Sequence, residues 1–110
     1  MLMHSELYPV LVERLVNTYQ KSLRRIILYG SIARGTATHE SDIDIAVLLN
    51  ELESLELKEK ISDLVVDLQL EYDCVISLLP IEQEKFSEWE DTLSFYRNIK
   101  EEGIVLWTAV

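Results

Sequence analysis

The chain is poor in most of the residues that would announce a special class of protein. It has one cysteine, Cys74, so no internal disulfide can form, and no Cys/His cluster offers four zinc ligands. Its three glycines and two prolines exclude a collagen-like repeat, and with 48% hydrophobic and 27% charged residues it lacks the signature of disorder. Apolar runs such as Ile45 to Leu49 fall far short of the ~20 residues that a membrane helix needs. The N-terminus carries no basic segment followed by an apolar stretch, so a cytoplasmic location is expected. With 110 residues the chain has material for one core, and a single domain over 1–110 is the expectation.

Basic residues are also scarce: Lys and Arg number 10 against 20 Asp and Glu, a net charge of −10. Residues 1–50 hold five acids and five bases, so the whole excess lies in residues 51–110. Such a surface repels phosphate backbones, which makes extended DNA or RNA a poor partner. It suits either plain solubility or docking to a basic protein.

What is present is an ordered alternation of elements. Leu7, Leu11, Leu15 and Val16 recur at helical spacing, predicting a first helix from Ser5 to about Lys21 with Ser5 as N-cap. Two β-prone runs, Arg25–Tyr29 and Asp42–Leu49, flank the segment GSIARGTATHES. A long helix is predicted from about Leu52 to Leu70, its core face Leu57, Ile61, Leu64, Val65 and Leu68, with Glu59, Asp63 and Asp67 solvated. A third strand over Asp73–Leu79 is expected to stop at Pro80. Phe86, Trp89, Leu93 and Tyr96 then form an aromatic stripe, read as core, on a helix or helix pair ending near Gly103. Ile104 to Trp107 reads as an edge strand or a docked tail.

The chemistry concentrates in Gly30-Ser31, ten residues, then Asp42-Ile43-Asp44. Side chains alternate along a strand, so Asp42 and Asp44 share a face at a separation of roughly 6.5 to 7 Å. At an effective dielectric of about 20 they repel by about 2 to 3 kcal/mol, and a bound cation relieves the conflict. All-oxygen ligands suit Mg²⁺ or Mn²⁺, and Mg²⁺ fills its remaining positions with water and substrate phosphates. Gly30 lets a phosphate approach the main chain without a Cβ in the way, Ser31 adds a hydroxyl, and Arg34 and Gly35 belong to the same loop. A displacement at phosphorus with metal ions at both the attacking and the leaving oxygen calls for a third carboxylate. Asp73 is the first candidate and Glu71 the alternative if the strand register is shifted by two. His39 reads as an exposed loop histidine, and Cys74 as a small core residue rather than a nucleophile.

Gly30-Ser31-Ile32-Ala33-Arg34-Gly35 followed by Ser41-Asp42-Ile43-Asp44 resembles the GSx10DxD signature of the DNA polymerase β nucleotidyltransferase superfamily. More narrowly, GSIARGTATHESDIDIAVLL is similar to the minimal nucleotidyltransferases, the MNT antitoxins of HEPN/MNT toxin and antitoxin pairs. The pattern covers about residues 25 to 80 and, more weakly, YRNIKEEGIVLW from Tyr96 to Trp107.

The resemblance implies an α/β (α+β) fold, a small mixed sheet flanked by helices of the nucleotidyltransferase palm type. It implies that Asp42, Asp44 and Asp73 are catalytic and ligate Mg²⁺, and that Gly30 and Ser31, with Arg34 and Gly35, bind the nucleotide. The implied reaction moves AMP from ATP to a hydroxyl of a partner, a tyrosine of a HEPN toxin ribonuclease, and silences it. A chain with no room for an acceptor-binding domain needs a partner to present the hydroxyl. That points to a hetero-oligomer, a homodimer being the alternative. Two other readings stand beside this one: an antitoxin that neutralises its partner by docking alone, and a stand-alone enzyme acting on a small molecule.

Overall fold

A computed structural model describes residues 2–110. Helix α1 (Leu7–Tyr19) leads through a 3-10 turn at Gln20–Ser22 into strand β1 (Leu23–Tyr29). The short helix α2 (Gly30–Arg34) and a loop connect to β2 (Ile43–Leu49), and α3 (Leu55–Tyr72) crosses over to β3 (Ile76–Glu82). Helices α4 (Gln83–Trp89) and α5 (Ser94–Glu102) then lead to β4 (Ile104–Thr108). The sheet order is β3-β2-β1-β4: β1 runs antiparallel to both β2 and β4, while β2 and β3, joined by a helical crossover, are parallel. This is the mixed sheet flanked by helices that the sequence led us to expect.

Strand alternation divides the core in two. Ile43, Ile45, Val47 and Leu49 join Ile26 and Leu28 on one face, covered by Leu7, Leu11 and Leu15 of α1 and by Ile61, Leu64 and Leu68 of α3. On the other face Ile27, Ala46, Leu48 and Ile81 meet Phe86 of α4 and Ile99 of α5. The Arg25 guanidinium lies 5.4 Å from the centre of the Phe86 ring, capping that second, smaller cluster with a cation–π contact. No helix among the described residues is long and apolar enough to cross a membrane.

Several boundaries differ from expectation for local reasons. Helix α1 is preceded by Glu6 rather than capped by the Ser5 side chain. In α3 the cap is Ser54, whose Oγ accepts from the Leu57 N–H at 3.1 Å, so the helix starts three residues later than predicted and runs two further. It ends at Asp73, in the left-handed conformation (φ 50°), and the Gln69 side chain ties that end to β3 by accepting the Ile76 N–H at 2.8 Å. Asp73 therefore caps α3 instead of starting β3. Pro80 lies inside β3 and does not stop it, because β3 is an edge strand with one side free of ladder partners. The predicted aromatic stripe is broken: Phe86 is buried, but Trp89 and Leu93 are 41% and 46% exposed, since the chain turns between α4 and α5 and the four residues never share one helix. Gly103 ends α5 with an ordinary negative φ; a Cβ there would run into the Ile99 carbonyl and the Ile27 side chain. Of the two readings of Ile104–Trp107, the edge strand is the one formed.

Candidate active site

The site is built where β1 turns into α2 beside the start of β2. Tyr29 and Asp44 are direct cross-strand partners, so the first residue after β1 passes over the Asp44 carboxylate. That residue is Gly30, with φ +76°, and a Cβ added to it would overlap the Asp44 carboxyl group. Two independent demands, a positive φ and close approach, thus select glycine here. Helix α2 is anchored by buried Ile32 and stopped by Gly35, whose φ of +79° satisfies the Ile32 carbonyl through its N–H at 3.2 Å. Gly35 has open space around its α-carbon, so only its backbone conformation calls for glycine.

The loop that follows is stapled to itself. Ser41 Oγ accepts the Thr38 N–H at 2.9 Å, and the Ser41 N–H returns to the Thr38 carbonyl at 3.1 Å. The Ile43 N–H then donates to the Val75 carbonyl at 2.8 Å, fixing Asp42 at the threshold of β2, one residue before the strand that was expected to contain it. Asp44 points to the α4/α5 side, between inward-facing Ile43 and Ile45.

Electrostatics bring three of the predicted residues together. Burial pushes the Asp44 carboxyl up from its usual range, the Asp42 charge pushes it further, and the Arg34 guanidinium opposes both. Arg34 is itself held by Glu102 of α5 at 3.6 Å. It therefore sits between two acidic groups at the surface. A carboxylate pair in repulsion, one member partly withdrawn from water and both offering only oxygen donors, fits Mg²⁺, which takes one or two protein carboxylates and leaves its other positions to water and phosphates.

Asp73 is placed differently. It lines a cavity of about 250 Å³ together with Asp42, Ser41, His39 and Cys74, and Asp44 does not take part in that lining. Among the described residues no three His, Cys, Asp or Glu side chains converge tightly enough to cage a metal ion. Beside Asp44, in register on β3, stands Ser77, and the residue before Ile76 is exposed Val75. Glu71, the alternative third acid, is exposed in the last turn of α3. Cys74 is half-buried against the core, with its thiol pushed up by burial and by the Asp73 charge, as expected of an inert cysteine.

The sequence reading missed the wall opposite Gly30. Phe95, Asn98 and Glu102 of α5 close a recess with Tyr29 and Gly30. Their spacing of three and four on one helix was the available signal; it was masked by the stripe through Trp89 and Leu93, which pointed to another face.

Relatives with the same sequence pattern are found. The family model described as the nucleotidyltransferase domain matches residues 11–106. A protein of Methanocaldococcus jannaschii named "Putative protein adenylyltransferase" is 38% identical over 96 residues, covering 87% of this chain and 90% of its own. A second of the same name and organism is 44% identical over 55 residues, covering 50% of this chain and 56% of its own. Among solved structures, a chain of a toxin–antitoxin complex with AMP-PNP superposes at a TM-score of 0.63 with 22% identity, over 93% of this chain and 73% of that one. A chain from the tri-AMPylated HEPN toxin of Shewanella oneidensis in complex with MNT antitoxin superposes at 0.60 with 20% identity, over 97% and 74%. Those two likenesses show a shared fold, whereas the family match and the closer sequence relationship fix descent: this chain belongs to the nucleotidyltransferase family.

Proposed function

We propose that this nucleotidyltransferase moves AMP from ATP to a hydroxyl of a partner protein, a tyrosine of a HEPN-type toxin, and so acts as an antitoxin. The observation that carries the reading is Asp44, packed against Gly30 with no room for a side chain between them and within reach of the Asp42 charge. A fold has no use for two apposed carboxylates at a strand start, one of them half-buried, unless a cation is to bind.

In this reading Asp42 and Asp44 hold Mg²⁺, which supplies charge neutralisation for the triphosphate when bound. Gly30 exposes main chain to the phosphates and Ser31 adds a hydroxyl donor. Arg34, tethered by Glu102, offsets the acidic charge at the rim. The acceptor oxygen forms a bond to the α-phosphorus, the bond from that phosphorus to the bridging oxygen breaks, pyrophosphate leaves with the electron pair, and the hydroxyl proton passes to water. Asp73, lining the same cavity as Asp42, orients the acceptor hydroxyl from that side. Positioning and electrostatics supply most of the rate.

Two features support a protein phenol as acceptor. The residue beside Asp44 on β3 is Ser77, not a carboxylate, so an acceptor that ionises near pH 10, as tyrosine does, suits the site better than an alkyl hydroxyl. The elements from α1 to β4 are taken up by the sheet and its covering helices, and in this reading the hydroxyl is presented by a partner protein. The test is a double variant, Asp42→Asn with Asp44→Asn, mixed with the product of the adjacent gene. Complex formation with loss of protection supports transfer; protection surviving in the variant leaves neutralisation by docking as the function.

A further inference from the structure

The recess between β1 and α5 has a composition that neither phosphate binding nor the fold explains. It holds about 140 Å³, close to the ~150 Å³ that admits one benzene ring, and it opens directly from Gly30. Tyr29 and Phe95 meet edge to face in its wall, ring centres 5.8 Å apart at 89°. The contact orients the Phe95 ring yet leaves the residue 48% exposed, in a recess that shares Gly30 with Asp44. One helical turn along α5, Asn98 brings an exposed amide to the same recess. An aromatic face plus a single donor–acceptor amide is the usual chemistry for gripping a nucleobase, by stacking on the ring and hydrogen bonding along an edge.

We infer that this recess takes the base of the donor nucleotide, with Phe95 as the stacking platform and Asn98 as the residue that selects adenine. The inference rests on the proposed role of Asp42, Asp44 and Gly30 as the triphosphate end of the same site. Adenine is favoured because an amide supplies one donor and one acceptor, matching the acceptor and amino group that adenine presents side by side. On the edge that carries N7, guanine presents two acceptors side by side and calls for an arginine fork instead, and the arginine at this rim, Arg34, pairs with Glu102 at 3.6 Å. Phe95 and Asn98 both lie on the exposed side of α5, whose buried anchor is Ile99, so changing either leaves the core intact.

The experiment is calorimetric titration with Mg²⁺ and three probes: an ATP analogue with a methylene bridge between the α and β phosphorus atoms, its guanosine counterpart, and inorganic tripolyphosphate. The wild type is expected to bind the adenosine probe at least about tenfold more tightly than tripolyphosphate. Phe95→Ala should lose about tenfold or more of adenosine-probe affinity with tripolyphosphate binding unchanged. Asn98→Ala should narrow the preference for adenosine over guanosine, again with tripolyphosphate unchanged. The inference is overturned if Phe95→Ala binds the adenosine probe like the wild type, if both variants lose tripolyphosphate in equal measure, or if guanosine is preferred. It is also overturned if the variants keep nucleotide affinity and lose only the protein partner, which makes the recess a docking surface. Failure of the wild type to bind any of the three probes sinks the nucleotide site as a whole. Tripolyphosphate binding with no gain from either nucleoside removes the base pocket alone.

Discussion

The two faces of the sheet are built on different terms. The face under α1 and α3 is aliphatic and closed: Leu7, Leu11, Leu15, Ile43, Ile45 and Leu68 are all fully buried. The face under α4 and α5 has six buried residues at its centre, and its margin is aromatic and half open, with Phe95, Trp89 and Leu93 partly in solvent. Both faces use the same strands, read at alternate positions. The first holds the molecule together, and the second, freed from that task, carries a half-buried acid, a glycine under close approach and a recess. A small domain can keep repelling charges on one side of a sheet because the other side supplies the stability.

Substitutions separate the two. The largest effect belongs to the carboxylates: Asp44→Asn should reduce transfer by at least about a hundredfold, since even groups that only support a metal ligand cost 10- to 100-fold when removed. The same change should raise the stability of the metal-free protein at neutral pH. Asp44 has a folded pKa above its ordinary value, so the folded state holds its proton more tightly, and the charge is a liability once pH exceeds the usual carboxylate range. Thermal melts of metal-free wild type and variant at pH 7 check the sign; equal stabilities contradict the strain assigned to the pair.

On the closed face, Leu15→Ala should destabilise by about 2 to 5 kcal/mol in a urea titration, whereas Leu93→Ala, at the open margin, should fall within about 0.5 kcal/mol of wild type. A smaller contrast tests the glycines. Gly30→Ala and Gly35→Ala each carry a positive φ and should cost about 1 to 2 kcal/mol, but only at Gly30 does the new Cβ strike Asp44, so transfer should collapse there and persist at Gly35. The smallest effect concerns Tyr8, whose hydroxyl donates to the Met3 carbonyl at 2.6 Å and whose pKa burial, with the Cys74 charge, pushes up to about 12. Its contribution is full below pH 10 and is lost as pH rises from there through about 12, so Tyr8→Phe should flatten the alkaline fall in stability over that window.

The same division explains what was legible in the sequence. Alternation in DIDIAVLL and four-residue spacing in α1 are local and strongly patterned, so the closed face, the carboxylate pair and the glycine before Ser31 were all readable. The position of Asp73 at the end of α3 was not: it depended on where that helix stops, and that is decided by a left-handed residue and by the Gln69 side chain reaching the Ile76 N–H, neither of which has a pattern. Pro80 misled because its effect depends on whether a strand is an edge, a property of the assembled sheet. The stripe from Phe86 to Tyr96 has helical spacing across a break, so it concealed the face on which Phe95 and Asn98 stand.

The central claim is that the open face performs nucleotidyl transfer onto a protein. Intact mass spectrometry of this chain incubated with Mg²⁺, ATP and the product of the adjacent gene tests that most directly. The account predicts a mass gain of one or more AMP units on the partner, absent with Asp42→Asn; an unmodified partner in a stable complex would contradict it.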